Sequence, residues 1–356
     1  MLKKIFLAII FCFLFAVVSP NLKKVDRVFA DNSSSICMEV STLRVLDGVN
    51  FDKKMPMAST TKILTAICVI ENSNLDSKVT VTKDTIGVDG SSIYLEEGEV
   101  LTVKDLLYGL MLRSGNDCAV TLAKFCSGTV EKFIELMNNT ANKIGTKNSN
   151  FVNPHGLHDD NHYTTAYDLA LISCYAIKNP IFKEIVSTKK VTIPHTTRDC
   201  NRVLINKNKM LLSYDGCTGI KTGFTKKAGR CLVSSAIKNG MEVVSVVLNC
   251  PDMWVKSKNN LDNAFLGYNM YKILEADNVI DFIDIDGMDE KCGIYIKNDV
   301  VLPLAKDEYN DLKIEYDYPK SIKIPFGKDS CVGQIKIYSQ NNLIFCEKIY
   351  TIIGKN

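Results

Sequence analysis

The sequence predicts a mixed α/β chain of the α+β kind, with a large body of helices and antiparallel hairpins followed by a small all-β region. Three observations carry that expectation. Apolar runs of helical character lie between residues 59 and 177. Period-two alternation replaces them over residues 215–250, with an Asn-Gly turn inside it. After Asp277 only short β-rich runs separated by turn residues remain. At 356 residues the chain exceeds one domain of about 150 residues and suggests two. Hydrophobic residues make up 46% and charged residues 23%, a globular composition that excludes disorder, collagen and coiled coil. The formal charge of +3 comes largely from the first 30 residues, beyond which 38 basic residues face 39 acidic ones. A nucleic-acid partner would require a basic stripe, so none is expected.

Taken in order, the chain begins with Lys3 and Lys4 ahead of a 14-residue apolar run, Ile5 to Val18, broken by Ser19-Pro20. This is the layout of a secretory signal, and the run is short of the roughly 20 residues a membrane span needs. Val28-Phe29-Ala30 places small residues where a signal peptidase reads, so cleavage is expected after Ala30. A retained, uncleaved anchor is the competing reading. The expected division is a signal at 1–30, a body at 31–275 and an all-β tail at 276–356. Of thirteen cysteines, Cys12 lies in the signal, and the other twelve are scattered with no CxxC pair. Cys68, Cys118, Cys126 and Cys174 fall in helix-like runs, Cys231 and Cys250 in strand-like ones. Most read as small buried hydrophobes rather than as disulfide partners.

Ser35 to Val49 alternates as a hairpin with one buried face. Residues 59–70 read as a helix apolar nearly all round beyond its first turn, the pattern of a helix buried in a domain centre. Val103 to Leu112 and Asp117 to Phe125 are helical, separated by Arg113-Ser114-Gly115-Asn116. Thr165 to Asp168 has the form of a capping box that starts a helix to Ile177. Cys231 to Ile237 and Met241 to Leu248 flank the turn Lys238-Asn239-Gly240. Leu261 to Leu274 reads as a closing helix. The tail has turns at Asp286-Gly287, Phe326-Gly327 and Asn341-Asn342.

Three short strings carry chemistry. Ser59 and Lys62 share one helical face a turn apart, at a helix N-terminus with free N–H groups. A serine hydroxyl needs a neighbouring base to become a nucleophile, and a lysine serves when burial and nearby cations lower its pKa. A charge directly before Ile63-Leu64 in so apolar a helix wants a reason. Ser114-Gly115-Asn116 lies in the break between two helices, where short polar side chains can face a cleft. Lys221-Thr222-Gly223 lies in a strand-like run, where Lys and Thr project to opposite sides unless the strand is an edge. Each string alone is ordinary: an N-cap, a polar loop, a surface strand.

In this order, S-x-x-K, S-x-N and K-T-G form the signature shared by class A β-lactamases and penicillin-binding proteins. The chain resembles the serine D-alanyl-D-alanine carboxypeptidases, the low-molecular-mass penicillin-binding proteins. The likeness includes Pro56-Met57-Ala58-Ser59-Thr60-Thr61-Lys62, Gly90-Ser91-Ser92-Ile93-Tyr94-Leu95, and Asp105-Leu106-Leu107-Tyr108-Gly109-Leu110-Met111 followed by Ser114-Gly115-Asn116-Asp117. It extends to Asn153-Pro154-His155-Gly156-Leu157 and Gly219-Ile220-Lys221-Thr222-Gly223, covering about residues 35–275.

That resemblance implies an antiparallel sheet with helices on both sides and an active site between sheet and helical lobe. It makes Ser59 the acylated nucleophile, Lys62 its proton acceptor and Ser114 a proton relay. Asn116 would hold the substrate amide, and Lys221 and Thr222, beside Gly223, the terminal carboxylate. The backbone N–H groups of Ser59 and Phe224 would form the oxyanion hole. The implied reaction removes the last D-alanine of a peptidoglycan stem pentapeptide through an acyl-serine, with β-lactam antibiotics as covalent inhibitors. No cofactor or metal is implied. A class A-like β-lactamase is the alternative, but the triplet carries Gly115 rather than Asp. The nearest stretch for a deacylating water, Glu135-Leu136-Met137-Asn138, reads as helix surface. A catalytically inactive wall-binding relative is a second alternative. His155, His158 and His162, with Asp159 and Asp160, read as a loop beside the cleft rather than a zinc site, because Asn153-Pro154 and Gly156 break a helical face. Family members often end in a membrane-lying amphipathic helix. Residues 350–356 instead follow a strand-like run, and peripheral membrane contact stays open beside release.

Overall fold

The computed structural model describes residues 32–355. The predicted signal and its cleavage point lie outside the described residues. Strand β1 (Ser34–Glu39) pairs antiparallel with β2 (Val45–Val49), as the sequence predicts. Two short antiparallel pairs follow: β3 (Lys78–Thr80) with β4 (Val100–Thr102), and β5 (Lys190–His195) with β6 (Cys200–Ile205). The central sheet is completed by β7 (Cys217–Thr225), β8 (Gly229–Lys238) and β9 (Met241–Leu248), in the order β2-β1-β9-β8-β7. Asn239 and Gly240 both take positive φ between β8 and β9, the tight hairpin that Asn-Gly favours.

Both faces of this sheet are covered. Ile36, Met38, Val233, Val244 and Val246 pack with the helical lobe, including Ile63, Leu64 and Ile67 of the helix Lys62–Asn72. Cys37, Leu232, Val243 and Val247 point the other way, against Leu261 and Ala264 of the helix Met253–Gly267. Alternation along a strand therefore gives two apolar faces, so β1 is buried along its whole length rather than on one side. β7 is an edge strand, paired only with β8.

Three local expectations need correction. The helix expected at Leu261–Leu274 instead spans Met253–Gly267, and Asn269–Leu274 forms strand β10, paired with β13 (Val300–Leu304). Tyr268 is extended, and the following residues place side chains by period two against the tail, which outweighs their helical spacing. The apolar helix does not begin at Ser59: Ala58–Thr61 is a 3-10 turn, and the α-helix starts at Lys62. The capping box at Thr165 is half made. Thr165 accepts from the Asp168 N–H, but the Asp168 carboxylate turns away to accept from Lys147 N, Asn148 N and Ser149 Oγ.

The tail adds β11 (Val279–Ile285), β12 (Lys291–Tyr295), β14 (Leu312–Asp317), β15 (Ser321–Ile322), β16 (Cys331–Ser339) and β17 (Asn342–Thr351). They form one sheet, ordered β14-β16-β17-β12-β11-β15, over a core that includes Ile283, Ile294, Ile335, Ile337 and Ile349. Arg44, in the β1–β2 connection, reaches the tail: its guanidinium donates to the Pro303 carbonyl and pairs with Glu308. Cys37, Cys68, Cys118, Cys174, Cys231 and Cys292 are buried thiols, while Cys200, Cys331 and Cys346 are exposed and Cys250 falls just beyond β9. Among the described residues, no helix is long and apolar enough to cross a membrane.

Asp168 generates a stability test. Its buried carboxylate holds the Lys147–Ser149 segment through two backbone N–H groups and the Ser149 hydroxyl, and removing it leaves these part-buried donors without their acceptor. Such loss costs roughly 1–3 kcal/mol, so Asp168→Ala should lower unfolding free energy by about that amount in urea titration. An unchanged midpoint would reject this reading.

Candidate active site

Ser59 stands half-buried on the 3-10 turn Ala58–Thr61, and the helix that follows starts with Lys62 at 0% exposure. The Lys62 Nζ lies 3.1 Å from Ser59 Oγ, 2.6 Å from Asn116 Oδ1 and 2.6 Å from the His155 carbonyl oxygen. The Asn116 amide is oriented by its Nδ2, which donates to the Asp89 carbonyl, so Oδ1 must face the amine. Two of the three neighbours are therefore pure acceptors. A neutral amine satisfies them with its two N–H bonds and turns its lone pair to the serine hydroxyl. Burial, and next the Lys221 cation, hold Lys62 well below the ordinary lysine range. That supplies the reason for a lysine inside an apolar helix.

Ser114 ends a wider π turn, Gly109–Arg113, and takes the left-handed conformation at φ +65° before the helix Asn116–Ser127. Its Oγ is buried and meets no hydrogen-bond partner among the described residues. A buried hydroxyl left unpaired is costly, and here the unpaired oxygen lines the same cleft as Ser59, where a substrate group can satisfy it. Lys221, Thr222 and Gly223 lie on the edge strand β7. A Cβ on Gly223 would stand 3.1 Å from the Ser59 nitrogen, so glycine lets the strand pass against the serine turn. Lys221 is buried, donates from Nζ to the Thr222 carbonyl at 3.0 Å, and is pushed down to about 7 by burial and then by Lys207.

A cleft of about 370 Å³ opens between these elements, lined by Ser59, Ser114, Thr222, Gly223 and Phe224. The fold thus gathers the three strings predicted to carry chemistry. It also brings in Ser91, Lys207, Arg230 and Trp254, which sequence reasoning did not single out as site residues. Ser91 belongs to the string Gly90–Leu95, and Lys207 donates to its hydroxyl at 3.1 Å. The buried Asp117 carboxylate anchors that string by accepting from Ser92 Oγ at 2.5 Å and from the Ile93 and Leu95 N–H groups. Lys207, Arg230 and Trp254 sit in no motif, so only tertiary folding reveals them, although a lone tryptophan was a signal of composition.

The histidines serve separate ends. His155 gives its carbonyl to Lys62, His158 pairs with Asp160 at 3.3 Å, and His162 faces Thr61. Burial pushes His155 down to about 3 and His162 to about 4. On the helix Val130–Ile144, Asn138 bonds both backbone groups of Phe151, and neither it nor Glu135 lines the cleft.

Residues 22–252 match the D-alanyl-D-alanine carboxypeptidase family, and residues 268–352 match the C-terminal domain of penicillin-binding protein 5. The chain is 29% identical over 341 residues to D-alanyl-D-alanine carboxypeptidase DacF of Bacillus subtilis, covering 92% of this chain and 87% of that protein. It is 31% identical over 341 residues to D-alanyl-D-alanine carboxypeptidase DacA of Haemophilus influenzae, covering 90% of this chain and 82% of the relative. The crystal structure of penicillin binding protein 5 from Haemophilus influenzae superposes with a TM-score of 0.79 at 29% identity, over 90% of this chain and 96% of the other. With the matched region spanning most of the body, and the cleft built from its motifs, the chain belongs to the D-alanyl-D-alanine carboxypeptidase family of serine-type, penicillin-binding hydrolases.

Proposed function

We propose that this cleft removes the terminal D-alanine from peptidoglycan stem pentapeptides through an acyl-enzyme on Ser59. The observation that supports it most is the Lys62 amine, buried between two carbonyl acceptors with the Ser59 hydroxyl as its third neighbour. Ser59 Oγ attacks the carbonyl carbon of the scissile peptide bond while Lys62 takes its proton. The N–H groups of Ser59 and Phe224 receive the developing oxyanion, the largest single contribution in such reactions. Ser114, its hydroxyl unspent, passes the proton to the departing amine of D-alanine. Water then attacks the ester, and the same relay returns the proton. Lys221 and Thr222, with Gly223 giving access, receive the terminal carboxylate.

Asn116 has a part beyond the substrate-holding one that the resemblance implies. Its Oδ1 accepts from Lys62 while its Nδ2 donates to Asp89, so we assign it also to orienting the amine, with one N–H left for substrate. Among the described residues, none that lines the cleft is acidic. A class A β-lactamase relies on a carboxylate to deacylate, so a β-lactam on Ser59 is expected to leave slowly here. We read the protein as exported, with residues 1–30 as its signal, since its polymer substrate lies outside the cytoplasm. The catalytic domain then runs to about Tyr268, because β10 already ladders with the tail.

Mass spectrometry of a synthetic stem pentapeptide after incubation should show loss of one alanine. Ser59→Ala should abolish that loss together with labelling by a fluorescent penicillin; labelling that survives the substitution would sink the assignment.

The two lysines give a pH dependence of opposite sign. Lys62 works as a neutral amine, so activity rises as pH climbs through its lowered pKa. Lys221 works as a cation, and in the free enzyme it loses its proton near about 7. kcat/KM for the peptide acid should therefore fall on the alkaline side from about that pH. The same peptide with a C-terminal amide, which offers no carboxylate, should lack that limb. An identical alkaline limb for both peptides would refute the role of Lys221.

A further inference from the structure

His162 carries no role in the scheme above, yet it is 2% exposed and every polar atom of its ring is used. The Val152 N–H donates to its Nδ1 at 3.1 Å, which makes Nδ1 an acceptor and leaves the ring proton on Nε2. That Nε2–H donates to Thr61 Oγ1 at 2.8 Å, and the Thr61 hydroxyl in turn donates to the Ala58 carbonyl oxygen at 2.8 Å. Phe151 packs edge-on against the ring, at 5.8 Å between centroids. Burial keeps the imidazole neutral at ordinary pH, so the direction of this chain of donors does not reverse.

The chain ends on one particular peptide. The Ala58 C=O and the Ser59 N–H belong to the same planar trans unit and point in opposite directions. The two ends face different walls. A Cβ on Gly156 would come within 1.9 Å of the Ala58 oxygen, whereas one on Gly223 would come within 3.1 Å of the Ser59 nitrogen. Ala58 itself sits at φ +49°, a left-handed conformation that a non-glycine residue holds only when its surroundings impose it. Rotating this peptide about its two Cα atoms would swing the Ser59 N–H away from β7 while leaving φ of Ala58 unchanged. A clamp on the carbonyl end prevents that rotation.

We propose that His162 and Thr61 are positioning residues for the oxyanion hole: they fix the Ala58 carbonyl and, through the shared peptide plane, aim the Ser59 N–H at the cleft beside Gly223 and Phe224. Neither residue touches substrate. The proposal rests on the acyl-serine reading and adds how one of its two oxyanion donors is held. It predicts an effect confined to the step in which negative charge develops, because ground-state binding does not use that donor.

The test measures penicillin acylation by stopped flow, separating the reversible dissociation constant from the acylation rate constant. Thr61→Val keeps the side-chain volume and removes both hydrogen bonds. It should slow acylation by about 10- to 100-fold, less than the full loss of an oxyanion donor, with the dissociation constant unchanged. Affinity for a boronic acid that forms a tetrahedral adduct on Ser59 should fall in step. Thr61→Ser should restore the rate. His162→Gln, whose amide can both accept and donate, should retain more of it than His162→Leu. Acylation of Thr61→Val at the parent rate would overturn the proposal, as would parallel losses in the rate constant and the reversible affinity. If His162→Leu does not fold, the valine and serine pair at position 61 decides. Failure of the parent protein to acylate at Ser59 would remove the underlying reading instead, a result the Ser59→Ala control identifies.

Discussion

The structure depends on keeping one amine uncharged inside the protein. Transferring an ammonium into a low-dielectric interior is so unfavourable that the group gives up its proton instead. Lys62 has no exposed surface, and it heads a helix whose next eight residues are buried as well. Among the described residues, its hydrogen-bond partners are two carbonyl oxygens and the serine hydroxyl. The apolar helix is therefore part of the chemistry: by burying the amine it makes a base, and by packing into the main core it fixes where that base points. Lys221 reinforces the effect from the neighbouring strand, since a second buried cation makes protonation of Lys62 less favourable still.

Bringing the serine, the amine and the edge strand together requires the backbone to depart from regular structure at each junction. Ala58 is left-handed ahead of the serine, Ser114 is left-handed after a π turn, and Gly156 and Gly223 press against opposite sides of the serine turn. These departures lie at the ends of elements rather than within them. The helix Lys62–Asn72 stays regular and β9 keeps unbroken register with β1 and β8, and a rigid frame of this kind holds strained segments that would otherwise relax.

Much of this was legible in the sequence where local chemistry and fold agree. The hairpins around Asn239-Gly240 and between β1 and β2 follow from turn residues and alternation, and the break at Ser114 follows from the loss of helical period. The three strings had meaning only in combination, because each alone is common. What was misread depends on distant partners. Asn269–Leu274 has spacing compatible with a helix, and only its ladder with β13 makes it a strand. The first turn at Ser59 looks helical in sequence, but the close approach of Gly156 and Gly223 tightens it. Lys207, Arg230 and Trp254 reach the cleft from separate parts of the chain, and no local pattern encodes that meeting.

Negative charge is arranged with equal care. Among the described residues of the body four carboxylates are buried, and each is spent on structure. Glu39 accepts from the N–H and hydroxyl groups of Ser41 and Thr42, Asp168 from the Lys147–Ser149 segment, and Glu99 pairs with Arg202. Asp117 is the one beside the site, adjacent in sequence to Asn116, and an uncompensated charge there would raise the pKa of Lys62 and disarm it. Its oxygens instead accept from Ser92 Oγ and from the N–H groups of Ile93, Leu95 and Cys118. Those donors offset the charge where it sits, and burial and the Lys221 cation outweigh the upward pull of Asp117 on the amine. The same bonds fix the Gly90–Leu95 string at the cleft wall. One buried carboxylate thus shapes the site without reversing the condition on which its base depends.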